Sequence, residues 1–131
     1  MLVIDDELII RQVLFSLLES LGFQVILASG GAEGVELMRE HAGSIRLILL
    51  DLIMPRMDGR QTLDALRHLP GLPPVILMSG YTQDETLERF ADEQLAGFLQ
   101  KPFTMDQLTA LLKGALSPTA EDRPENAPRA P

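Results

Sequence analysis

Five short runs of continuously apolar residues, separated by segments with helical periodicity, most constrain the fold of this chain. None of the five runs alternates between apolar and polar residues. Continuous runs of this length, rich in Val, Ile and Leu, indicate strands that are covered on both faces, as in a parallel sheet. The runs are residues 2–4, 23–28, 47–50, 75–78 and 97–100.

The segments between these runs carry helix signals. In residues 7–21, apolar side chains recur on one helical face, and Gly22 follows where that helix should end. Three later segments begin with a capping box, in which a side-chain acceptor is followed three residues later by Glu or Gln. The apolar face comprises Ile10, Val13, Leu14, Leu17, Leu18 and Leu21, and the boxes are Asp58 with Gln61, Thr82 with Glu85, and Thr104 with Gln107.

The elements therefore form five strand-then-helix units, and parallel strands joined by helical crossovers give an α/β sandwich. A closed barrel of such units needs about 250 residues, so an open, doubly wound sheet is predicted for this chain of 131 residues. We expect one domain over residues 1–116. Residues 117–131 contain four prolines and no large apolar side chain, which predicts a disordered tail or linker.

Composition excludes several classes of function. The net charge is −8 and the basic residues are scattered, which disfavours direct binding of nucleic acid. The chain has no cysteine, so any metal site would use oxygen ligands. No apolar stretch approaches the roughly 20 residues of a membrane helix and no signal peptide is evident, which predicts a cytoplasmic location without membrane contact.

Polar side chains follow four of the apolar runs, at the edge where an open α/β sheet binds its ligands. Asp5 and Asp6 follow the first run, Asp51 ends the third, Ser79 the fourth and Lys101 the fifth. Most of these have simpler explanations: Asp6 could cap the next helix, Ser79 could be a satisfied hydroxyl, and Lys101 could be exposed. Asp51 ends the most apolar part of the chain without an apparent helix start, so it needs a partner or a metal.

Such a set of side chains favours phosphoryl chemistry. Carboxylates that meet at about 4 Å repel by roughly 4 kcal/mol per pair, and one lysine compensates too little, so a hard cation such as Mg²⁺ is expected. An ionised Asp can attack phosphorus to give an aspartyl-phosphate, while Lys and Ser stabilise the transferring oxygens. A glycosidase acid and base pair is the alternative for paired carboxylates, but it does not use the lysine and hydroxyl.

Four motifs, "VIDDE", "LLDLIMPRMDG", "MSG" and "FLQKPF", together resemble the receiver domains of bacterial two-component response regulators over residues 1–116. The resemblance implies a flavodoxin-like (βα)5 fold with the strand order 2-1-3-4-5. It also implies a phosphoacceptor that takes its phosphoryl group from a histidine kinase or a histidine phosphotransfer domain. Such a domain is a switch in signal transduction and not a turnover enzyme.

The resemblance also assigns roles to individual residues. Asp51 would be the phosphoacceptor, and phosphorylation would reshape the surface of helix 4, strand 5 and helix 5, about residues 82–116. The Lys101-Pro102 bond would be cis. Mg²⁺ would be held by Asp5, Asp6, Asp51 and the Ile53 main-chain carbonyl, the phosphoryl group would be bound by Ser79 and Lys101, and Phe98 would be the aromatic switch residue.

Two other functions are open from the sequence, a small Mg²⁺-dependent phosphatase of the haloacid dehalogenase type and an inert receiver-like interaction module. The phosphatase fits poorly, because those enzymes place the nucleophile after the first strand. The context of the domain is open as well. "LMSGYTQDE" and "GFLQKPF" look most like receivers at the C-terminus of hybrid sensor histidine kinases, whose parent chain is a kinase, but a single-domain regulator is the alternative. The oligomeric state is not predicted.

Overall fold

The computed structural model describes residues 1–90 and 95–116 of the chain. Within them, five strands alternate with five helices, and the strands form one parallel sheet in the order β2-β1-β3-β4-β5. The predicted doubly wound α/β fold is therefore confirmed, whereas the predicted tail lies outside the described residues. The elements are β1 (Leu2–Ile4), α1 (Leu8–Ser20), β2 (Ile26–Ala28), α2 (Gly31–Glu40), β3 (Ile48–Asp51), α3 (Gly59–Arg67), β4 (Val75–Ser79), α4 (Gln83–Arg89), β5 (Gly97–Gln100) and α5 (Met105–Leu116).

Two apolar cores lie on opposite faces of the sheet, and successive strand residues contribute to each in turn. In β3, Ile48 and Leu50 point into the core that contains side chains of α2 and α3, whereas Leu49 points into the core that contains those of α1 and α5. Both faces of the sheet are thus buried. This explains why the apolar runs do not alternate with polar residues.

Helix α1 buries a narrower stripe than its sequence predicts. Leu14 and Leu18 are fully buried, but Val13 is 44% exposed and Leu21 is 38% exposed. The helix contacts the sheet along one line, so the margins of its apolar face remain in solvent. Even α1, with 13 residues the longest helix described, is too short to cross a bilayer, and no described helix is long and apolar enough to do so.

The predicted capping boxes form at two helices and half-form at a third. At α3, the Asp58 side chain accepts from the Gln61 N–H and the Gln61 side chain accepts from the Asp58 N–H. Thr104 and Gln107 make the same pair of bonds before α5. Thr82 caps α4 by accepting from the N–H of Glu85, whose carboxylate accepts from the Thr82 hydroxyl rather than from its N–H.

Both ends of the described fold lie at the edge of the sheet where the strands begin. Met1 and Leu116 line the same cavity of about 400 Å³, together with Arg46, which precedes β3. The Met1 ammonium donates a hydrogen bond of 2.9 Å to the Gln24 carbonyl. This amino edge is opposite to the edge where the polar residues gather.

Candidate functional site

Three carboxylates meet at the carboxyl edge of the sheet. Asp5 and Asp6 follow β1, and Asp51 is the last residue of β3. These strands are neighbours, with Ile4 paired to Leu50, so their ends lie side by side. One carboxylate oxygen of each Asp lies within 4.8 Å of the others. The three acidic residues singled out from the sequence are thus brought together.

Asp51 lies in an environment that disfavours its negative charge. The residue is only 3% exposed. Burial raises the pKa of Asp51 to about 7, and the negative charge of Asp5 adds to the shift, while Lys101 and the Ile53 N–H oppose it. Burial is thus the main reason why the charged form of Asp51 is disfavoured, and the repulsion from Asp5 adds to it.

Lys101 reaches the cluster from the end of β5. Its Nζ donates a hydrogen bond of 2.8 Å to Asp5 Oδ2 and lies 3.4 Å from Asp51 Oδ1 and 3.7 Å from Glu7 Oε1. Burial alone would lower the pKa of Lys101, but the hydrogen bond to Asp5 and the charges of Asp51, Asp5 and Glu7 together raise it. Lys101 is therefore a cation shared among several carboxylates.

Ser79 lies at the same edge, between the strands that carry Asp51 and Lys101. It ends β4, where Asp51 pairs with Met78 and Ser79 pairs with Gln100. The Lys101 N–H donates to the Ser79 carbonyl at 2.7 Å, and the Tyr81 N–H donates to the Ser79 hydroxyl oxygen at 2.9 Å. The buried hydroxyl is thus held in place while its own hydrogen can be donated elsewhere.

The two remaining predicted residues lie nearby. The Ile53 N–H makes a long contact of 3.5 Å to Asp51 Oδ1, and the Ile53 side chain is 57% exposed; its carbonyl as a metal ligand stays a prediction. Phe98 pairs with Leu77 in the sheet and is partly buried, and its switch role also stays a prediction. The Lys101-Pro102 bond is cis, as the resemblance implied.

Asp6 does not cap helix α1. The N-cap residue is Glu7, which makes no side-chain capping bond, and its N–H is instead bonded to Asp5 Oδ1 at 2.9 Å. The interpretation of Asp6 as a helix cap is therefore wrong. Asp6 is exposed at the mouth of the site, where its carboxylate can meet a cation from solvent.

Two residues of the site were not singled out from the sequence. Glu7 lies 3.7 Å from Lys101 Nζ, and the Arg11 guanidinium donates a hydrogen bond of 2.7 Å to the main-chain carbonyl of Asp5. Glu7 carries no signal beyond its place after the two aspartates. Arg11 does carry one, because a cation at the start of a helix opposes the helix dipole.

The site fits Mg²⁺ by the chemistry of its donors. Magnesium prefers oxygen ligands and is usually bound by one or two carboxylates, with its other positions left to water and phosphate oxygens. Asp5, Asp6 and Asp51 offer carboxylate oxygens within 4.8 Å of one another. A divalent cation would also favour the ionised form of Asp51, whose pKa is raised first by burial and then by repulsion from Asp5.

A cavity of about 310 Å³ opens beside the site. Its lining includes Leu52 and Ile53, which directly follow Asp51, and Tyr81, which lies two residues after Ser79. Across the cavity, the Arg60 guanidinium lies 5.2 Å from the centre of the Phe90 ring. The cavity thus adjoins the chain segments that directly follow Asp51 and Ser79.

Residues 1–113 match the model of the response regulator receiver domain. The chain is 34% identical over 115 residues to the sensor kinase CckA of Brucella abortus, covering 88% of this chain and 12% of CckA. It is 35% identical over 118 residues to the transcriptional regulatory protein ZraR of Escherichia coli K12, covering 90% of this chain and 26% of ZraR. This chain thus spans about a quarter or less of these relatives.

A solved structure gives the same result for the fold. The crystal structure of the receiver domain from the hybrid histidine kinase CckA superposes with a TM-score of 0.73 at 33% sequence identity. The match covers 88% of this chain and 96% of that domain. The likeness therefore extends over nearly the whole of a single receiver domain.

Proposed function

The chain belongs to the family of response regulator receiver domains of two-component systems, and from that premise we propose that it stores a phosphoryl group on Asp51 in a Mg²⁺-dependent reaction. The observation that carries the proposal is the setting of the buried Asp51 carboxylate. Its Oδ1 lies 3.4 Å from Lys101 Nζ, and the carboxylates of Asp5 and Asp6 are within a cation's reach. This is the arrangement that an aspartyl-phosphate site requires.

In the proposed reaction, an Asp51 oxygen attacks the phosphorus of a phosphohistidine on a histidine kinase or a histidine phosphotransfer domain. The new O–P bond forms as the P–N bond breaks, and the electron pair of that bond returns to the imidazole nitrogen. The product is an acyl phosphate on Asp51. Because the attacking carboxylate must be ionised, a pKa of about 7 for Asp51 would limit the reaction in the absence of a cation.

When bound, Mg²⁺ supplies positive charge that favours the ionised form of Asp51 and offsets the charge of the phosphoryl oxygens. Asp5, Asp6, Asp51 and the Ile53 carbonyl would hold it. The Lys101 ammonium needs only a small movement from its position 3.4 Å from Asp51 to pair with a phosphoryl oxygen. The Ser79 hydroxyl, which already accepts from the Tyr81 N–H, would donate its hydrogen to the same group.

We further propose that the phosphoryl group changes the surface formed by α4, β5 and α5. The Lys101 N–H is bonded to the Ser79 carbonyl at 2.7 Å, so a movement of Ser79 or Lys101 toward the phosphoryl group is transmitted to β5. Phe98 lies in β5, three residues before Lys101, and is partly buried; because its side chain has no hydroxyl, a switch at this position would work by packing alone. Residues 91–94 of this region lie outside the described residues.

The phosphatase alternative is not supported. Residues 1–113 match the receiver family, and Asp51 follows the third strand, not the first. An inert receiver-like module usually has an incomplete acidic set, whereas Asp5, Asp6 and Asp51 are all present at the site. A cytoplasmic location and the absence of direct contact with nucleic acid stay predictions from the sequence.

The receiver module of a hybrid histidine kinase is our proposal for the context of this domain. The similarity to the sensor kinase CckA is consistent with it, but the similarity to the transcriptional regulator ZraR is of the same size. The coding sequence on either side of this segment decides between them. A kinase core encoded upstream would support the hybrid, and a DNA-binding domain encoded downstream would contradict it.

The acceptor assignment is tested by mass spectrometry after incubation with acetyl phosphate and Mg²⁺. We expect the wild-type chain to gain one phosphoryl group and Asp51→Asn to gain none. Asp64→Asn removes an exposed carboxylate from α3 and should be labelled like the wild type. Omission of Mg²⁺ should suppress labelling of the wild type and of Asp64→Asn.

Equal labelling of the wild type and Asp51→Asn would reject Asp51 as the acceptor. Absence of labelling in every protein, with Mg²⁺ present, would favour the inert module. Sustained turnover of a small phosphomonoester would favour a phosphatase instead.

A further inference from the structure

Arg11 occupies a place in α1 where helix electrostatics disfavour a cation. It is the fourth residue of the helix, and the helix has neither a side-chain cap nor an acidic residue in its first turn. The positive end of the helix dipole therefore opposes the guanidinium charge. A specific contact must offset this cost, and the contact that the structure provides is with Asp5.

Arg11 completes the hydrogen bonding of Asp5. The Asp5 N–H donates to the Ala28 carbonyl at 3.1 Å, and its two carboxylate oxygens accept from the Glu7 N–H and the Lys101 ammonium. The remaining acceptor, the Asp5 carbonyl, accepts from Arg11 Nη1 at 2.7 Å. Because Asp5 is fully buried, this carbonyl has no ready substitute partner in solvent.

The carbonyl that Arg11 holds belongs to the peptide that joins Asp5 to Asp6. The orientation of this peptide sets the directions in which both side chains leave the backbone. We propose that Arg11 is a positioning residue for the Mg²⁺ site, which fixes the Asp5–Asp6 peptide so that the exposed Asp6 carboxylate stays near those of Asp5 and Asp51. The inference rests on the proposed function, since it assumes that these carboxylates bind Mg²⁺.

The positive charge of Arg11 and its hydrogen bond to the Asp5 carbonyl predict opposite effects of an Arg11 substitution on the Kd for Mg²⁺. If its charge alone mattered, removal of a cation close to a group of carboxylates would tighten the binding of Mg²⁺. If Arg11 positions the Asp5–Asp6 peptide, its removal weakens binding, as loss of groups that orient metal ligands does. The direction in which the Kd changes therefore distinguishes the charge explanation from the positioning explanation.

The test is calorimetric titration of Mg²⁺ alone into the wild type, Arg11→Met, Arg11→Gln and Arg46→Met. We expect both Arg11 variants to raise the Kd for Mg²⁺ by about 10-fold, the lower end of the range for groups that orient metal ligands. Arg46 is exposed at the amino edge, so Arg46→Met removes the same charge far from the site and should leave the Kd unchanged. An unchanged or lower Kd in the Arg11 variants overturns the inference.

Further variants separate this inference from the proposed function. If Mg²⁺ fails to bind the wild type, or binds Asp51→Asn equally well, the proposed metal site is wrong. If Mg²⁺ binds the wild type in an Asp51-dependent manner but binds the Arg11 variants equally well, only the inference fails. Circular dichroism melts identify a variant that does not fold, and Arg11→Lys, which keeps the charge but lacks the planar guanidinium fork, then serves in its place and should also bind Mg²⁺ more weakly.

Discussion

Asp51 shows how a single buried carboxylate can make a site responsive to its ligands. Its charge is disfavoured by burial and by Asp5, and it is favoured by Lys101. The pKa of about 7 means that small changes in local charge alter its ionisation near neutral pH. The same property couples Asp51 to the stability of the fold.

The Asp51→Asn variant should be more stable than the wild type at high pH in the absence of Mg²⁺. The folded-state pKa is raised from 3.8 to about 7, so the folded wild type binds more protons than the unfolded chain between these values. Its free energy of unfolding therefore falls as pH rises through this window and stays low above it. An asparagine side chain does not titrate, so the variant escapes this loss.

Urea unfolding in the presence of a chelator measures this effect. After a discount for solvent screening, we expect the variant to be more stable than the wild type by roughly 1 to 2 kcal/mol at about pH 8, with the difference vanishing near pH 4. The Asp64→Asn control should show no such trend. A difference that grows toward low pH would contradict the raised pKa.

Lys101→Met should destabilise the protein without Mg²⁺ by about 3 kcal/mol at neutral pH, the lower end of the range for a buried ion pair that loses one partner, because it leaves the buried carboxylates of Asp5 and Asp51 without their cation. Added Mg²⁺ should raise the melting temperature of this variant more than that of the wild type. Lys113 is the only other lysine in the sequence and lies in the last turn of α5, so Lys113→Met is the matched control. If Mg²⁺ raised the melting temperature of all three proteins equally, Lys101 would not be compensating the negative charge of the site.

At the scale of elements, the connection from β3 to α3 holds Asp51 in place. Asp58 caps α3 through a reciprocal capping box, and the Gly59 N–H donates to the Leu52 carbonyl at 2.8 Å. The helix start thus packs directly on the backbone that follows the strand. Only a residue without a side chain fits there, since a Cβ at Gly59 would lie 2.6 Å from Leu52 Cα and 2.7 Å from the Asp51 carbonyl oxygen.

Gly59→Ala should therefore destabilise the protein by about 2 kcal/mol, as overpacking against rigid atoms does, and slow its labelling by acetyl phosphate. The control is Gly114→Ala in α5, where a Cβ would meet nothing within 4 Å. That substitution should stabilise the helix by up to about 1 kcal/mol. Chemical unfolding and the rate of phosphorylation measure both effects. If Gly59→Ala were as stable as the wild type, the backbone between β3 and α3 would be able to shift to make room for the added Cβ.

The sequence signals differ in whether they depend on neighbours along the chain or on tertiary packing. The capping signals at Asp58 and Thr104 depend on neighbours three residues away, so the sequence predicted both boxes. The extent of the buried stripe on α1 depends on how the helix lies on the sheet, which no local pattern encodes. Val13 and Leu21 were accordingly placed on the apolar face, although both are substantially exposed.

At the scale of the whole molecule, the parallel sheet explains why the acidic residues of the site could be predicted. Parallel strands end at one edge, so residues that follow each apolar run had to meet there. Asp5 and Asp51, 46 positions apart in the sequence, were therefore grouped without a structure. Arg11 was missed because its contact depends on a long side chain that turns back toward β1.

Removal of residues 117–131 should leave the domain intact. The sequence predicts a tail without large apolar side chains, so the shortened chain of residues 1–116 should match the full chain in its melting temperature and its Kd for Mg²⁺. Thermal melts and calorimetry check both. A marked loss of stability on truncation would mean that the predicted tail belongs to the domain.

The placement of Met1 and Leu116 beside one another at the amino edge affects how this domain can be joined to other polypeptides. Segments attached at either end start from the side of the sheet remote from Asp51. Such a domain can be inserted into a host protein, or fused at one terminus, without obstructing the approach of a phosphodonor. A change at Asp51 would then act on the two ends of the described fold through the body of the domain, because Met1 and Leu116 both lie at the opposite edge of the sheet.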